Sequence, residues 1–432
     1  MSKGEYNLIL DQLFSTMSKK LIEHAREEAI KKQENLRRTS VQNSQTKINI
    51  HNNKVQSNKQ NYKINSNPHN YQENVGIKNY ETGIPIICGY HESLCLGTKQ
   101  RFIKPQAITN IGAKVYKAVC SRNHTILLLE DGRLFGAGNN YDGQLDATVK
   151  EHHIYNFIPI KPNRRFRDVS VGYDYTVAIA TDGEVYGFGG NYCITQKNEC
   201  DQHLIASFKP LMPGHKFSMV ACGYKHFLLL DKDGKLFVLG LNYYGQIGMG
   251  DDVIGVIRPA LIMENKTFSY IACGPYNSAA IEKNGDLYTW GDNDNGQLGC
   301  GSMEEKIYQP QKVASGVIAV SCGGYHSAII DKNYQLSTCG ENDVGQLCDG
   351  TYNNERVFKP RLNGKQIAFV ECGGNYTMIV DIKGNLYGCG SNKFGQLGNG
   401  QISDKGDINQ VIMTNVLRVG CGPAESVIIR RK

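Results

Sequence analysis

Short apolar runs, each closed by a turn, recur along most of the chain. Residues 126–129 are apolar and are followed by Asp131-Gly132 and by a second apolar run from Leu134. Two β-rich runs across an Asp-Gly pair predict a hairpin with positive φ at both turn positions. The turn recurs at Asp182-Gly183, Asp233-Gly234, Asn284-Gly285 and, as a variant, Lys383-Gly384. Asn333-Tyr334 departs from the pattern and predicts a looser hairpin.

The hairpins belong to a repeat with a period of 49 to 51 residues. Its opening position is occupied by Cys120, Val171, Cys222, Cys273, Cys322, Cys372 and Cys421. A period this regular indicates stacked structural units. The last copy contains only its first strand, whereas residues 86–97 match the second half of other copies, such as residues 290–299. The complementary ends predict seven units closed into a ring by pairing of the first and last strands.

The composition fits one long repeat domain. The 432 residues include 47 Gly and 12 Pro, and about 40% are hydrophobic. Helix-forming runs are absent between the hairpins, which excludes alternating α/β folds and predicts an all-β protein. No apolar run approaches the roughly 18 residues of a membrane span, and no signal peptide pattern begins the chain. We therefore expect an intracellular protein, cytoplasmic or nuclear, without membrane insertion.

Cysteine is frequent, with 14 residues, but its positions indicate packing. Six cysteines open repeats, Cys339 and Cys389 precede the glycine of a Gly-x-Asn motif, and Cys88 precedes the corresponding Gly89. Val171 and Trp290 occupy equivalent positions, so these places accept apolar side chains, and we interpret the cysteines as small core residues. No Cys-x-x-Cys pair occurs, so we expect no metal and no cofactor.

The formal charge of +7 is concentrated near the start of the chain. Residues 1–84 hold 13 Lys or Arg against 8 Asp or Glu, which leaves the repeats nearly neutral. A nucleic-acid clamp needs a basic stripe that neutralises phosphates. Nucleic acid is therefore an unfavourable partner, except through weak contacts of this basic tail.

Residues 1–40 are expected to contain an amphipathic helix, because Leu10, Phe14, Met17 and Leu21 recur at helical spacing. The apolar face predicts either docking to a second partner, a coiled-coil seam, packing on the chain's own repeats or a marginal solvated helix. Mixed charges on the polar side argue against membrane binding. Ser40 follows Arg37-Arg38-Thr39 and is a weak candidate for phosphorylation by a basophilic kinase.

Residues 41–84 are expected to form a disordered linker. Between positions 41 and 74 there are ten Asn and five Gln, and little apolar material to offset the entropy of folding. The predicted organisation is therefore a helix at 1–40, a linker at 41–84 and a ring of repeats at 85–432.

The repeat resembles that of the regulator of chromosome condensation family. The resemblance rests on Cys-Gly-Gly-Tyr-His at 322–326 and on Gly-x-Asn-x-x-Gly-Gln-Leu-Gly motifs such as residues 291–299. Gly-Gln-Leu or Gly-Gln-Ile blocks occur at 143–145, 245–247, 296–298, 345–347 and 395–397. The resemblance implies a seven-bladed β-propeller over residues 85–432. The third blade lacks the Gly-Gln pair at 189–194, so the chain is expected to run differently there.

Members of this family have different functions. The founding member is an exchange factor for the GTPase Ran that also binds chromatin, and other members are ubiquitin-ligase arms, ciliary proteins and a plant ultraviolet receptor. The exchange factor's extruded hairpin would lengthen a repeat, but none here exceeds 51 residues. A light sensor would need clustered indoles, and Trp290 is the sole tryptophan.

The loop after each repeat-opening residue supplies the candidate site. The side chains at the last position of the seven loops are expected to form a ring around one mouth of the propeller. They either contact a partner, with histidines that titrate near pH 6.5, or tie each turn to the next blade. Neighbouring tyrosines are better contact candidates, because aromatic residues dominate binding hot spots. The full candidate set is His124, Tyr173, Asp174, Tyr175, Tyr224, His226, Tyr276, Asn277, Tyr325, His326, Tyr376 and Glu425.

No enzyme motif is present. The chain lacks a Gly-x-x-x-x-Gly-Lys-Ser/Thr loop, His-Glu-x-x-His and Gly-x-Ser-x-Gly. The sequence therefore favours a non-catalytic protein-interaction scaffold. The alternative is an exchange factor or regulator of a Ran-like small GTPase, with or without an association with chromatin, with Asp174, His226 and His326 as polar contacts.

Overall fold

The computed structural model describes residues 81–90, 102–109, 111–146, 148–161, 163–190, 210–406, 408 and 410–431. These residues form 27 strands in seven antiparallel sheets arranged as the blades of a propeller. The all-β seven-bladed architecture expected from the sequence is confirmed. The candidate helix at 1–40, Ser40 and most of the expected linker lie outside the described residues. No helix in the described part has the length and apolarity of a membrane span.

Blades are numbered from the one that contains the first strand. Blade 1 consists of β1 (Ile84–Gly89), β2 (Phe102–Ala107), β26 (Val416–Cys421) and β27 (Glu425–Arg430). Blade 2 consists of β3 (Val115–Cys120), β4 (His124–Leu129), β5 (Leu134–Asn139) and β6 (His153–Ile160). Blade 3 has three described strands, β7 (Phe166–Val171), β8 (Tyr175–Ala180) and β9 (Val185–Gly189), and an isolated bridge joins Tyr186 to Pro210. The departing segment of this blade from residue 191 lies outside the described residues.

The remaining four blades each have four strands. Blade 4 consists of β10 (Phe217–Cys222), β11 (His226–Asp231), β12 (Leu236–Leu241) and β13 (Gly255–Ile262). Blade 5 consists of β14 (Phe268–Cys273), β15 (Asn277–Glu282), β16 (Leu287–Asp292) and β17 (Lys306–Ala314). Blade 6 consists of β18 (Val317–Cys322), β19 (His326–Asp331), β20 (Leu336–Gly340) and β21 (Glu355–Arg361). Blade 7 consists of β22 (Ile367–Cys372), β23 (Tyr376–Asp381), β24 (Leu386–Asn392) and β25 (Ser403–Gly406).

The hydrophobic core lies between neighbouring blades. Every residue of β4 is buried, because both faces of this strand are covered. Leu127 and Leu129 pack with Val427 of blade 1, whereas Ile126 and Leu128 pack against blade 3. This alternation explains the short apolar runs of the sequence, since side chains of successive strand residues point to opposite faces. The first strand of each repeat lies innermost and lines a central channel.

The ring closes as the broken repeat ends predict. All six residues of β1 pair with β27, and Ile86 lies opposite Ile428. Gly89 has a φ of 104°, and a Cβ there would collide with the carbonyl oxygen of Ala424, so the closure requires glycine at this position. Gly83 already forms a bridge to Val115. The propeller therefore begins within residues 81–84, which the sequence analysis assigned to the linker.

The hairpin turns differ from the prediction. Gly132 has a φ of 82°, whereas Asp131 is not left-handed, and the Gly132 amide donates to the Leu129 carbonyl at 3.0 Å. This is a type I turn followed by a left-handed glycine, so positive φ at both positions was wrong. The expected loosening at Asn333-Tyr334 was also wrong. Tyr334 adopts the left-handed conformation with a φ of 63° and keeps the same turn hydrogen bond.

The interpretation of the cysteines as small core residues holds for some of them and needs one correction. Cys88, Cys339 and Cys389 are buried, as expected of core residues. Cys389, however, is bonded to Cys348 in a disulfide that joins blade 7 to blade 6. Cys348 had received no assignment from the sequence.

Candidate functional site

The last positions of the seven repeat-opening loops are buried between blades. They are the first residues of β4, β8, β11, β15, β19, β23 and β27, and none is more than 2% exposed. We call this set the seam residues: His124, Tyr175, His226, Asn277, His326, Tyr376 and Glu425. They do not line the mouth, so their burial does not support a direct role in partner contact.

The seam histidines bind a hydroxyl of the following blade. His226 Nε2 lies 2.9 Å from Ser278 Oγ, and His326 Nε2 lies 2.9 Å from Thr377 Oγ1. Ser278 Oγ donates its proton to the Gln246 carbonyl at 2.8 Å. Because a hydroxyl has one proton, Nε2 of His226 must be the donor in the first contact. His124 contacts Thr176 in the same way, at 2.8 Å.

The seam tyrosines reach the backbone of the next blade. Tyr175 Oη lies 2.9 Å from the carbonyl oxygen of Gly223 and 2.6 Å from that of His226, and its one proton is donated between these two acceptors. Tyr376 Oη donates to the Glu425 carbonyl at 2.5 Å. Together with the histidine contacts, these bonds match the alternative in which the loop residue ties its turn to the next blade.

The ionisation of the seam residues also differs from expectation. Burial lowers the pKa of His226 to about 3 and that of His326 to about 4. Burial raises the pKa of the Glu425 carboxyl to about 8. His226 and His326 are thus neutral at physiological pH, and the expectation that they titrate near pH 6.5 was wrong for these two.

The tyrosines beside the seam residues lie at the mouth. Tyr173, Tyr224 and Tyr276 are half-buried, and Tyr325 is 43% exposed. The ring centroids of Tyr173 and Tyr224 are 5.3 Å apart, and those of Tyr224 and Tyr276 are 5.4 Å apart, with edge-to-face geometry. These four tyrosines form an arc over blades 3 to 6, which we call the tyrosine arc.

Three of the four arc tyrosines line a funnel of about 670 Å³ at the top of the central channel, and Tyr173 packs behind Tyr224. Tyr224, Tyr276, Tyr325, Arg122 and Phe394 all line it. Tyr244 was not predicted from the sequence; its ring centroid lies 4.5 Å from that of Tyr276, and the Lys306 ammonium lies over its ring. Tyr244 lies inside a repeated Gly-x-Asn motif, at residues 240–246, and the motif gave no signal of a contact with Tyr276.

Acidic residues at this face are partly neutralised. Burial, followed by the charge of Asp142, raises the pKa of the half-buried Asp174 carboxyl. Burial and Asp294 raise the pKa of Asp292 to about 6. The chemistry of this face is therefore aromatic rather than strongly acidic.

Below the funnel, the channel narrows to a cavity of about 160 Å³. Lys117 and Asp168 form an ion pair at 2.7 Å along its wall. Desolvation within the channel raises the pKa of the half-buried Glu371 carboxyl to about 8. Burial raises the pKa of Cys222 and Cys322 to about 12, so these thiols stay protonated. Within the described ranges, no group of three His, Cys, Asp or Glu residues is placed to hold a metal ion.

Several known proteins resemble the chain. The ultraviolet-B receptor UVR8 of Arabidopsis thaliana is 30% identical over 194 residues, which cover 44% of this chain and 44% of the receptor. The X-linked retinitis pigmentosa GTPase regulator of Canis lupus familiaris is 28% identical over 268 residues, which cover 48% of this chain and 26% of the regulator. The chain thus spans less than half the length of these two relatives.

The fold has a solved counterpart in Prp20p from Saccharomyces cerevisiae, described with its binding to Gsp1p and histones. The TM-score is 0.70 at 19% identity, and the alignment covers 82% of this chain and 92% of that chain. Identity this low establishes the fold alone. The sequence itself matches the RCC1-like domain over residues 85–428. The chain is therefore a member of the RCC1-like domain family.

Proposed function

We propose that this protein is a non-catalytic interaction platform that binds a partner protein across the tyrosine arc. The observation that carries the proposal is the arc itself: four consecutive blades each contribute one tyrosine, and three of these, Tyr224, Tyr276 and Tyr325, line a funnel of about 670 Å³. Tyrosine supplies a large contact area at a low cost in conformational entropy and is enriched in binding hot spots.

The seam residues support this function indirectly. Tyr173 and Tyr224 lie within two residues of Tyr175 and His226, whose side chains are bonded to the following blade. Bonds of this kind fix the loop backbones that present the arc. A rigid loop loses little freedom when a partner binds, and this favours affinity.

Nucleotide exchange on a Ran-like GTPase is the competing function. Relatives carry the words GTPase regulator in their names, and Prp20p is described with its binding to Gsp1p, so a small GTPase is a partner class to test. The polar contacts expected for that activity are poorly placed, because His226 and His326 are both 0% exposed. Only Asp174 of the three is half-buried.

The N-terminal segment enters as a second element of the proposal. Leu10, Phe14, Met17 and Leu21 would bind a second partner through one face of a helix. A platform with two attachment points would hold the two partners close to each other and raise their effective concentration.

The two functions give opposite results in a nucleotide-release assay. We expect catalytic amounts of the purified full chain to leave the release of a fluorescent guanine nucleotide from Ran unchanged. Acceleration of release at those amounts would show exchange activity and reject the platform.

A further inference from the structure

Position 348 is a cysteine at a place where other repeats have glycine. Each Gly-Gln-Leu or Gly-Gln-Ile block of blades 4, 5 and 7 is followed by a left-handed glycine, namely Gly248, Gly299 and Gly398, with φ values of 70°, 66° and 70°. Cys348 keeps the same conformation with a φ of 60°. A non-glycine residue is strained there, so its presence calls for a compensating interaction.

The repeat geometry supplies that interaction. An ideal Cβ at Gly248 would lie 2.9 Å from Trp290 Nε1 of the next blade, and one at Gly299 would lie 3.0 Å from Cys339 Sγ. Cys389 is the residue equivalent to Trp290 and Cys339 in blade 7. The position after the Gly-Gln-Leu or Gly-Gln-Ile block therefore contacts the position equivalent to Trp290 in the next blade. At the interface between blades 6 and 7, both positions are cysteine.

The Cα atoms of Cys348 and Cys389 are 5.5 Å apart, within the range of natural disulfides. Cys88 and Cys339 occupy the same place as Cys389, but each faces a glycine, Gly398 or Gly299. Both remain free thiols. Among the described residues, two cysteines therefore face each other at these positions only at the interface between blades 6 and 7.

We propose that Cys348 and Cys389 form a redox modification site, at which a reversible disulfide joins blades 6 and 7. The oxidant is a low-molecular-weight disulfide. One thiolate attacks it and releases one small thiol, and the second protein thiol then displaces the other small thiol from the mixed disulfide. Two protein thiols are oxidised while one small disulfide is reduced to two thiols.

The environment of the pair makes this exchange slow and its product persistent. Cys348 is 3% exposed and Cys389 is 2% exposed, so a small thiol reaches them only when the seam opens. Cys389 lies opposite Thr377 in the β23–β24 ladder, and Thr377 receives the seam contact from His326. The covalent bond and the hydrogen bond therefore join the same two blades and resist the same opening.

The test is differential alkylation of the full chain after equilibration in glutathione buffers of graded ratio. We expect a peptide cross-linked through Cys348 and Cys389 to appear as glutathione disulfide increases, and the oxidised protein to unfold about 5 °C above the reduced protein. Cys300→Ser removes a free, half-buried cysteine and should leave both results unchanged.

Cys348→Gly is the matched variant, because it restores the residue of the other repeats and relieves the left-handed strain. It should fold and should lose the difference in unfolding temperature between oxidised and reduced samples. Full alkylation of both cysteines in the most oxidising buffer would overturn the proposal, as would an equal temperature difference in Cys348→Gly. The site does not depend on the proposed function.

Discussion

Deletion of residues 425–432 abolishes cooperative unfolding, because it removes β27 from the centre of blade 1. Val427, Ile428 and Ile429 are all 0% exposed, and burial of three such side chains contributes about 5 to 9 kcal/mol. That amount is comparable with the whole stability of a domain, about 5 to 15 kcal/mol. The deletion also separates β1 from β26 and opens the ring.

A urea titration monitored by tryptophan fluorescence measures this effect, since Trp290 is fully buried in blade 5, remote from the cut. Deletion of only the last two residues is the control and should keep the full transition. If both truncated chains unfold at the same urea concentration, closure by β27 contributes little and our description of the ring is incorrect.

His226→Gln destabilises the protein at pH 7.5, and its disadvantage shrinks as the pH falls. The folded-state pKa of about 3 lies below the unfolded-state value of about 6.5. The neutral imidazole therefore contributes its full stability above pH 6.5, and this contribution is lost as the pH falls toward 3. At pH 5 the loss is about 2 kcal/mol, from about 1.4 kcal/mol per pKa unit.

The measurement is the difference in the free energy of unfolding between the unaltered chain and His226→Gln at pH 7.5 and at pH 5. The total free energy of unfolding is unsuitable, because the pKa values of Glu371 and Glu425 are raised to about 8. These two carboxyls add stability as the pH falls, whereas His226 loses it. The difference isolates His226. A difference that stays constant between the two pH values would mean that His226 titrates normally in the folded protein.

The closure of the ring was predictable, because it follows from the number of complete and incomplete repeats in the sequence. A half-repeat at each end leaves one arrangement in which every strand finds a partner, and β1 pairs with β27 as expected. The turn geometry was less accessible, because an Asp-Gly pair fits both a two-residue turn and a type I turn followed by a left-handed glycine. Tyr334 shows that the surrounding ladder imposes that conformation even on a residue that disfavours it.

The direction of the seam residues could not be read from their own loops. A histidine at the start of a strand can point to solvent or to the next blade, and the residue type fits both. A signal was present one repeat later, where a hydroxyl residue recurs 51 or 52 positions after each seam histidine: Thr176, Ser278 and Thr377. The position of the arc tyrosines at the mouth was easier to predict. Each lies in the same loop as a seam residue, and the seam residue takes the buried place between the blades.

The Cys348–Cys389 pair was missed for a related reason. Each cysteine by itself fits a buried apolar position, and the pairing becomes visible only when the position after each Gly-Gln-Leu block is compared with the next blade. Such contacts between repeats are a property of the ring and not of the local sequence.

Site-specific photo-crosslinking at Tyr325 tests the central claim, that the tyrosine arc is the partner-binding surface, most directly. The full chain would carry a benzophenone amino acid at position 325 and, as a matched control, at position 155 on outer strand β6. Tyr325 is 43% exposed and Tyr155 is 45% exposed, so both side chains meet solvent to the same extent. We predict that illumination in cell extract yields a discrete partner adduct at position 325 and none at position 155. Adduct formation at position 155 with none at position 325 would contradict the account.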